Sequence, residues 1–235
     1  MAGASSRWHA LRCAASMAIL LIRHGETLGN RNRVVQTPDI ALSEHGIAQA
    51  ARLARRLESS PIVEIWTSPQ TRARMTAAAI ERATGLEARE HTDLEERSFG
   101  AIRGTPYSEL GFDLMAHDYD PPEGESWSVF HERVDRIWAE VEQRWLEQFV
   151  NTPEPRHLVL VSHGLVCRSL IERRLLPDQA LDDHRDEGGR VQLRNTALTI
   201  IEPRVKVDRI VEYDVPLVGC VAHLDADEPA ALGAV

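Results

Sequence analysis

The stretch Ala18-Ile19-Leu20-Leu21-Ile22-Arg23-His24-Gly25-Glu26-Thr27 decides how this chain is read. Five consecutive apolar residues, with no alternation, predict a strand buried on both faces, the pattern of a parallel sheet covered by helices. The run stops at a cation, an imidazole and a glycine. That places Arg23 and His24 at the carboxyl end of the strand, where open α/β sheets bind their ligands, and Gly25 allows the backbone to approach a ligand closely.

Two further runs, Ile62–Trp66 and His157–Ser162, read as buried strands. Helical spacing fills the intervals between them. Ser43–Glu58 carries Ile47, Ala50, Ala51, Ala54 and Leu57 on one face, with Ser43 as its cap. Pro69 opens the next helix, which runs through Ile80 to about Thr84 and stops at Gly85. From Ser126 to about Val150 a broad apolar stripe includes Phe130, Val134, Trp138, Val141 and Trp145. A helix starting at His163-Gly164 ends near Pro177, and Leu181–Arg190 reads as a polar surface loop. Val191–Ile201 and Val205–Tyr213 read as a hairpin turning at Pro203-Arg204. Strands alternating with helices predict an α/β fold: one domain, residues 17–225, with a mostly parallel central sheet flanked by helices.

Composition narrows the partners. The 235 residues, 43% of them apolar, suffice for a substantial core. A formal net charge of −9 argues against broad electrostatic binding to nucleic acid or to an anionic membrane. All the basic residues but Lys206 are arginine, which supplies the planar fork suited to phosphate or carboxylate. The three cysteines, Cys13, Cys167 and Cys220, give no disulfide framework and fit a cytoplasmic protein. Ala14–Ile22 meets charge after nine residues, far short of the roughly 20 needed to span a bilayer. Residues 1–16 read as a disordered extension, with Met17 as an alternative start, and residues 226–235 as a loose tail.

The chemistry recurs at strand ends. Ser162-His163-Gly164 places a second His-Gly after a strand, and Thr67-Ser68-Pro69-Gln70-Thr71-Arg72 puts Arg72 in the first turn of a helix, where it and the local amides can meet an anion. Asp93-Leu94-Glu95-Glu96-Arg97-Ser98-Phe99-Gly100 is an acidic loop in which Glu95 and Glu96 are both candidate proton donors. A carboxyl beside a phosphate pocket is repelled unless it holds a proton. The remaining histidines lack metal-ligand spacing such as His-Glu-x-x-His, so neither metal nor cofactor is expected.

These residues resemble the histidine phosphatase superfamily, which includes cofactor-dependent phosphoglycerate mutases and many phosphatases. Arg23-His24-Gly25-Glu26-Thr27 is similar to its defining motif. Ser68–Ala77, Leu94–Gly100, Pro122-Glu123-Gly124-Glu125-Ser126, Ser162-His163-Gly164 and Asn195-Thr196 follow in the family's order. The resemblance implies a phosphoglycerate mutase-like fold and a nucleophile at His24, which takes the phosphoryl group as phosphohistidine. It implies that Arg23, Arg72 and His163 surround the phosphoryl oxygens, and that Glu96, not Glu95, is the acid. Asn30, Gln36, Arg97 and Gly164 match substrate-binding positions, although the segment after Gln36 is about one residue shorter than the family's.

Mutase and phosphatase share this machinery. Arg97 matches a mutase position, whereas Thr105–Pro122 contains no Lys or Arg where mutases carry a longer basic insertion. The expectation is therefore a metal-independent phosphatase of a small phosphorylated metabolite. Mutase-type transfer is the alternative. A non-catalytic phospho-ligand binder ranks below both, because a binder has no need of the Glu96 proton. Tyr107, Phe112, Tyr119 and Trp127 are candidates for contact with the organic part of the substrate, and each is equally explained by packing.

Overall fold

The computed structural model describes residues 17–116, 118–148, 154–206 and 209–224. The expectations for residues 1–16 and 226–235 lie outside the described residues. Strands β1 (Ala18–Arg23), β2 (Ile62–Thr67), β3 (Ala88–Glu90), β4 (His157–Ser162), β5 (Leu198–Lys206) and β6 (Arg209–Cys220) form one sheet in the order β3-β2-β4-β1-β5-β6. The pairs β3–β2, β2–β4 and β4–β1 are parallel; β5 lies antiparallel to β1, and β6 to β5.

The unbroken apolar run of β1 serves both faces, because successive side chains point to opposite sides. Ile19 and Leu21 join Leu158 and Leu160 under α4 (Trp127–Gln148) and α5 (Gly164–Leu170), packing with Phe130, Val134, Trp138, Val166 and Leu170. On the other face Leu20 and Ile22 join Val159 and Val161 under α2 (Glu44–Leu57) and α3 (Thr71–Thr84), against Leu53, Leu57, Ala77 and Ile80. Each fully buried Leu, Ile or Val contributes about 1.5–3 kcal/mol, so the two faces together fix the register of β1.

Local signals set most helix ends. Ser43 accepts the Gly46 N–H at 3.0 Å and caps α2. Gly85 ends α3 in the left-handed region, at φ 75°, with its N–H on the Glu81 carbonyl. α3 starts at Thr71, two residues after Pro69. α5 does not run regularly to Pro177: it widens into a π turn at Ile171–Leu175, closed by the Leu176 N–H on the Ile171 carbonyl. The loop expected over Leu181–Arg190 opens with the end of the short helix α6 (Asp178–Leu181) and a 3-10 turn at Asp182–His184.

The expected hairpin is displaced. Residues 192–197 form no strand, because Thr196 takes a φ of 57° and turns the chain at Arg194–Ala197. β5 starts only at Leu198. Pro203 lies inside β5, paired with Tyr213, and the strand continues to Lys206. Its missing N–H is harmless there, because the pairing of β5 with β1 ends at Ile201. β3, three residues long, was not expected from the sequence.

Candidate active site

Sheet register assembles the site. Arg23 on β1 is level with Ser162 on β4, and Thr67 on β2 is level with Val161. The His24 N–H continues onto the Ser162 carbonyl at 2.9 Å, and the Ser68 N–H onto the Val161 carbonyl at 3.0 Å. His24, Ser68 and His163 therefore stand side by side at the carboxyl edge of the central strands. Ring centroids of His24 and His163 are 5.1 Å apart, and both rings are buried.

Two contacts orient the His24 ring. Its Nδ1 lies 2.7 Å from the Gly25 carbonyl, which can only accept, so Nδ1 carries the proton. Nε2 then holds the lone pair, and it accepts from Arg72 Nε at 3.2 Å. Behind the ring, the His24 carbonyl accepts from the Thr196 N–H at 3.2 Å and from Asn195 Nδ2 at 3.1 Å. The Gly25 N–H donates to Thr76 Oγ1 at 3.0 Å.

Arg72 also donates Nη1 to the Thr37 carbonyl, and Arg23 donates Nη1 to the Leu193 carbonyl. His163 Nε2 is 2.8 Å from Ser68 Oγ, and its Nδ1 is buried without a partner. Burial, followed by the charges of Arg72 and Arg23, holds His24 well below the usual imidazole range. Burial, Arg72, His24 and Arg23 do the same to His163. Burial pushes the Arg72 guanidinium down to about 10. In the free protein both rings are thus neutral and the arginines carry the positive charge.

Glu96 faces the same cavity, with Oε1 accepting the Arg97 N–H at 3.0 Å and Oε2 the Leu165 N–H at 3.1 Å. The cavity is lined by Arg23, His24, Gln36, Arg72, Glu96, Arg97, Arg103 and Tyr107, among others. Gln36 reaches it despite the short segment that follows, and its Oε1 accepts from Thr27 Oγ1 at 2.7 Å. Glu95 does not line the cavity.

Asn30, His163 and Gly164 are not part of the lining; His163 is fully buried beside the His24 ring. Asn30 completes a capping box with Thr27 on the short helix α1 (Leu28–Arg31), and its Oδ1 also accepts from Asn195 Nδ2. Gly164 packs on the Arg23 guanidinium, which a Cβ there would meet at 3.5 Å. Arg97 lines the cavity, yet Nε binds the Glu125 carbonyl, Nη2 binds the Tyr119 carbonyl, and the guanidinium lies 3.9 Å from the centre of the Trp127 ring. Its Nη1 is buried without a partner. Sequence reasoning assigned nothing to Arg103 or Ser68, whose types carry no signal until the fold places them. Among the described residues no cluster of His, Cys, Asp and Glu could hold a metal ion, and no helix is long and apolar enough to cross a membrane.

The family model of the histidine phosphatase superfamily (branch 1) matches residues 19–215, and the chain belongs to that superfamily. It is an enzyme of the type found there, with phosphatases and phosphoglycerate mutase-like proteins as its relatives. A Yersinia pestis (strain Pestoides F) protein named "Probable phosphoglycerate mutase GpmB" is 29% identical over 219 residues, 89% of this chain and 95% of its own. The structure of a mycobacterial glucosyl-3-phosphoglycerate phosphatase superposes with a TM-score of 0.70 at 25% identity, covering 87% of this chain and 99% of its own. A phosphoserine phosphatase from Entamoeba histolytica shares the fold, with a TM-score of 0.65 at 24% identity over 88% of this chain and 99% of its own.

Proposed function

We propose that the protein hydrolyses small phosphate monoesters without a metal, through a phosphohistidine on Nε2 of His24. The observation that carries this is the fixed tautomer: the Gly25 carbonyl holds the proton on Nδ1, and the lone pair of Nε2 points into a cavity walled by arginine. A neutral imidazole is already nucleophilic and needs no external base.

In the free protein Arg72 Nε occupies that lone pair. A phosphoryl oxygen is a better acceptor, so substrate draws the guanidinium onto itself and frees Nε2. Nε2 then attacks phosphorus in line, the P–O ester bond breaks, and the leaving oxygen takes a proton from Glu96. Water, giving its proton back to Glu96, then attacks phosphorus, the P–N bond breaks, and inorganic phosphate and neutral His24 are released. Arg23, Arg72 and His163 stabilise the charge on the transferring group. Asn30 and Gly164 serve this reading as supports for the pocket backbone and for Arg23.

Hydrolysis is favoured over mutase transfer because Arg97 is committed to the Tyr119 and Glu125 carbonyls, and Thr105–Pro122 contributes no cation. The glucosyl-3-phosphoglycerate and phosphoserine phosphatases named above agree with an alcohol phosphate as substrate. Mutase-type transfer draws support from the unpartnered Nη1 of Arg97 and from Arg103, which could together hold a carboxylate.

The test is His24→Ala. Turnover should vanish while inorganic phosphate still binds, because Arg23, Arg72 and His163 remain. Wild-type protein quenched during turnover should carry acid-labile, base-stable phosphate. Full turnover by His24→Ala refutes the mechanism. Product formed only as an isomeric phosphate ester, with no inorganic phosphate released, makes the protein a mutase.

A further inference from the structure

Glu96 sits in a segment that has little regular structure of its own: one 3-10 turn at Thr92–Leu94, then residues 95–99 in neither helix nor strand. A carboxyl that must meet a leaving oxygen needs that backbone fixed, and the fixing comes from a residue outside the cavity. Arg133, on α4 between the buried Phe130 and Val134, places all five of its N–H donors around this segment. Nη1 donates to the Asp93 carbonyl at 2.9 Å and to the Glu95 carbonyl at 2.8 Å; Nη2 reaches the Glu96 carbonyl at 3.4 Å. The remaining two donors, on Nε and Nη2, grip the Glu125 carboxylate, each at 2.7 Å.

Glu125 closes the other side. Its Oε2 accepts the Ser98 N–H at 2.8 Å, and its carbonyl accepts from Arg97 Nε at 3.0 Å. The chain is thus held before Glu96 by Arg133 and after it by Glu125, and the two clamps are joined by a bidentate ion pair. The Arg133 side chain is only 11% exposed, so these bonds are largely shielded from water.

We propose that Arg133 is a positioning residue for the proton-transfer step: through the Asp93, Glu95 and Glu96 carbonyls it sets where the Glu96 carboxyl stands relative to the leaving oxygen. This rests on Glu96 being the acid, and so deepens the phosphatase reading. The planar fork is required, because a lysine ammonium has three donors and cannot serve five acceptors. Displacing an acid by about 1 Å costs on the order of 10²-fold. That loss should appear only where the leaving group needs a proton.

The experiment measures the phosphoenzyme burst rate with an alkyl ester, glycerol phosphate, and with para-nitrophenyl phosphate, whose leaving phenolate is stable without a proton. Glu96→Gln is the reference, and Arg133→Lys and Arg133→Ala are the tests. Both Arg133 variants should lose roughly 10–100-fold on the alkyl ester and no more than a few fold on the aryl ester, with inorganic phosphate affinity retained. Guanidinium added to Arg133→Ala should restore the alkyl rate selectively. If Arg133→Ala does not fold, Arg133→Lys and Glu125→Gln carry the same comparison.

Equal losses on both esters, or none on either, overturn the proposal while Glu96→Gln still discriminates between them. If Glu96→Gln itself shows no leaving-group dependence, the acid assignment fails and the positioning role falls with it. Hydrolysis of the aryl ester by wild-type protein remains a separate reading of the phosphatase activity.

Discussion

Mild acid should unfold this protein through its own active site. His24 and His163 are buried side by side and held neutral by burial and by the charges of Arg72 and Arg23. In the unfolded chain each titrates near 6.5. Below that pH the unfolded state binds more protons than the folded state, so stability falls as pH falls. The contribution of these two rings is fully present above about pH 6.5 and is lost as the pH drops toward their folded values. As long as both rings stay neutral in the folded protein, each removes up to about 1.4 kcal/mol per pH unit below 6.5, so the pair removes up to about 3 kcal/mol per unit. For a domain of about 200 residues that is on the order of 10 °C in Tm.

The assay is thermal unfolding from pH 7.5 to 5.0 of wild-type protein and of His24→Gln, His163→Gln and the double variant. His91, His157 and His223 are also pushed down by burial and add the same background to all four proteins. Only the difference between slopes is diagnostic. Each substitution should flatten the slope by one ring's share. Inorganic phosphate should flatten the wild-type slope too, because a bound dianion favours the protonated rings. A double variant with the wild-type pH slope would falsify this account. Activity should follow the same logic: kcat/KM should show no loss near pH 6.5 from protonation of the nucleophile.

Two further outcomes concern packing around the site. A Cβ on Gly46 would stand 2.0 Å from the Glu26 carbonyl oxygen, so Gly46→Ala should cost about 1–3 kcal/mol, visible as a lower Tm, and should slow turnover by pushing the Gly25–Glu26 backbone away from His24. Arg97→Ala removes bonds to two carbonyls and the stack on Trp127; Tm should fall by the equivalent of about 3 kcal/mol with KM for a neutral ester little changed, whereas a selective loss on carboxylated esters at unchanged Tm would make Arg97 a substrate contact.

The parts of this molecule legible in the sequence are those whose signals are local. β1 and β4 are unbroken apolar runs, Ser43 and Gly85 are helix boundaries, and the strand ends carry Arg23, His24 and His163. What was illegible depends on partners distant in sequence. Val191 and Leu193 are buried as a strand's apolar residues would be, yet this segment turns, because Thr196 adopts a left-handed conformation that places its N–H on the His24 carbonyl. β3 is too short to leave a pattern. Arg97 lines the cavity, but its local sequence gives no sign that the carbonyls of Tyr119 and Glu125, 22 and 28 residues on, hold two of its nitrogens. Arg133 sits on a helix face among other charges, and only the folded loop reveals what it binds.

The outer hairpin has a consequence for how the protein behaves when concentrated. β6 is a 12-residue strand at the edge of the sheet, and a long straight edge is a template on which a second chain can add and start an aggregate. This edge is neither straight nor complete. The β5–β6 ladder shifts register at three places, Pro216 has no N–H to offer, and Gly219 bends the strand end at φ 60°. Arg209, Glu212 and Asp214 add charge of both signs. Another strand could dock for only a few residues before losing its partners, so the irregularity that shifts this hairpin from the bounds its apolar pattern predicts also protects the fold from growing beyond itself.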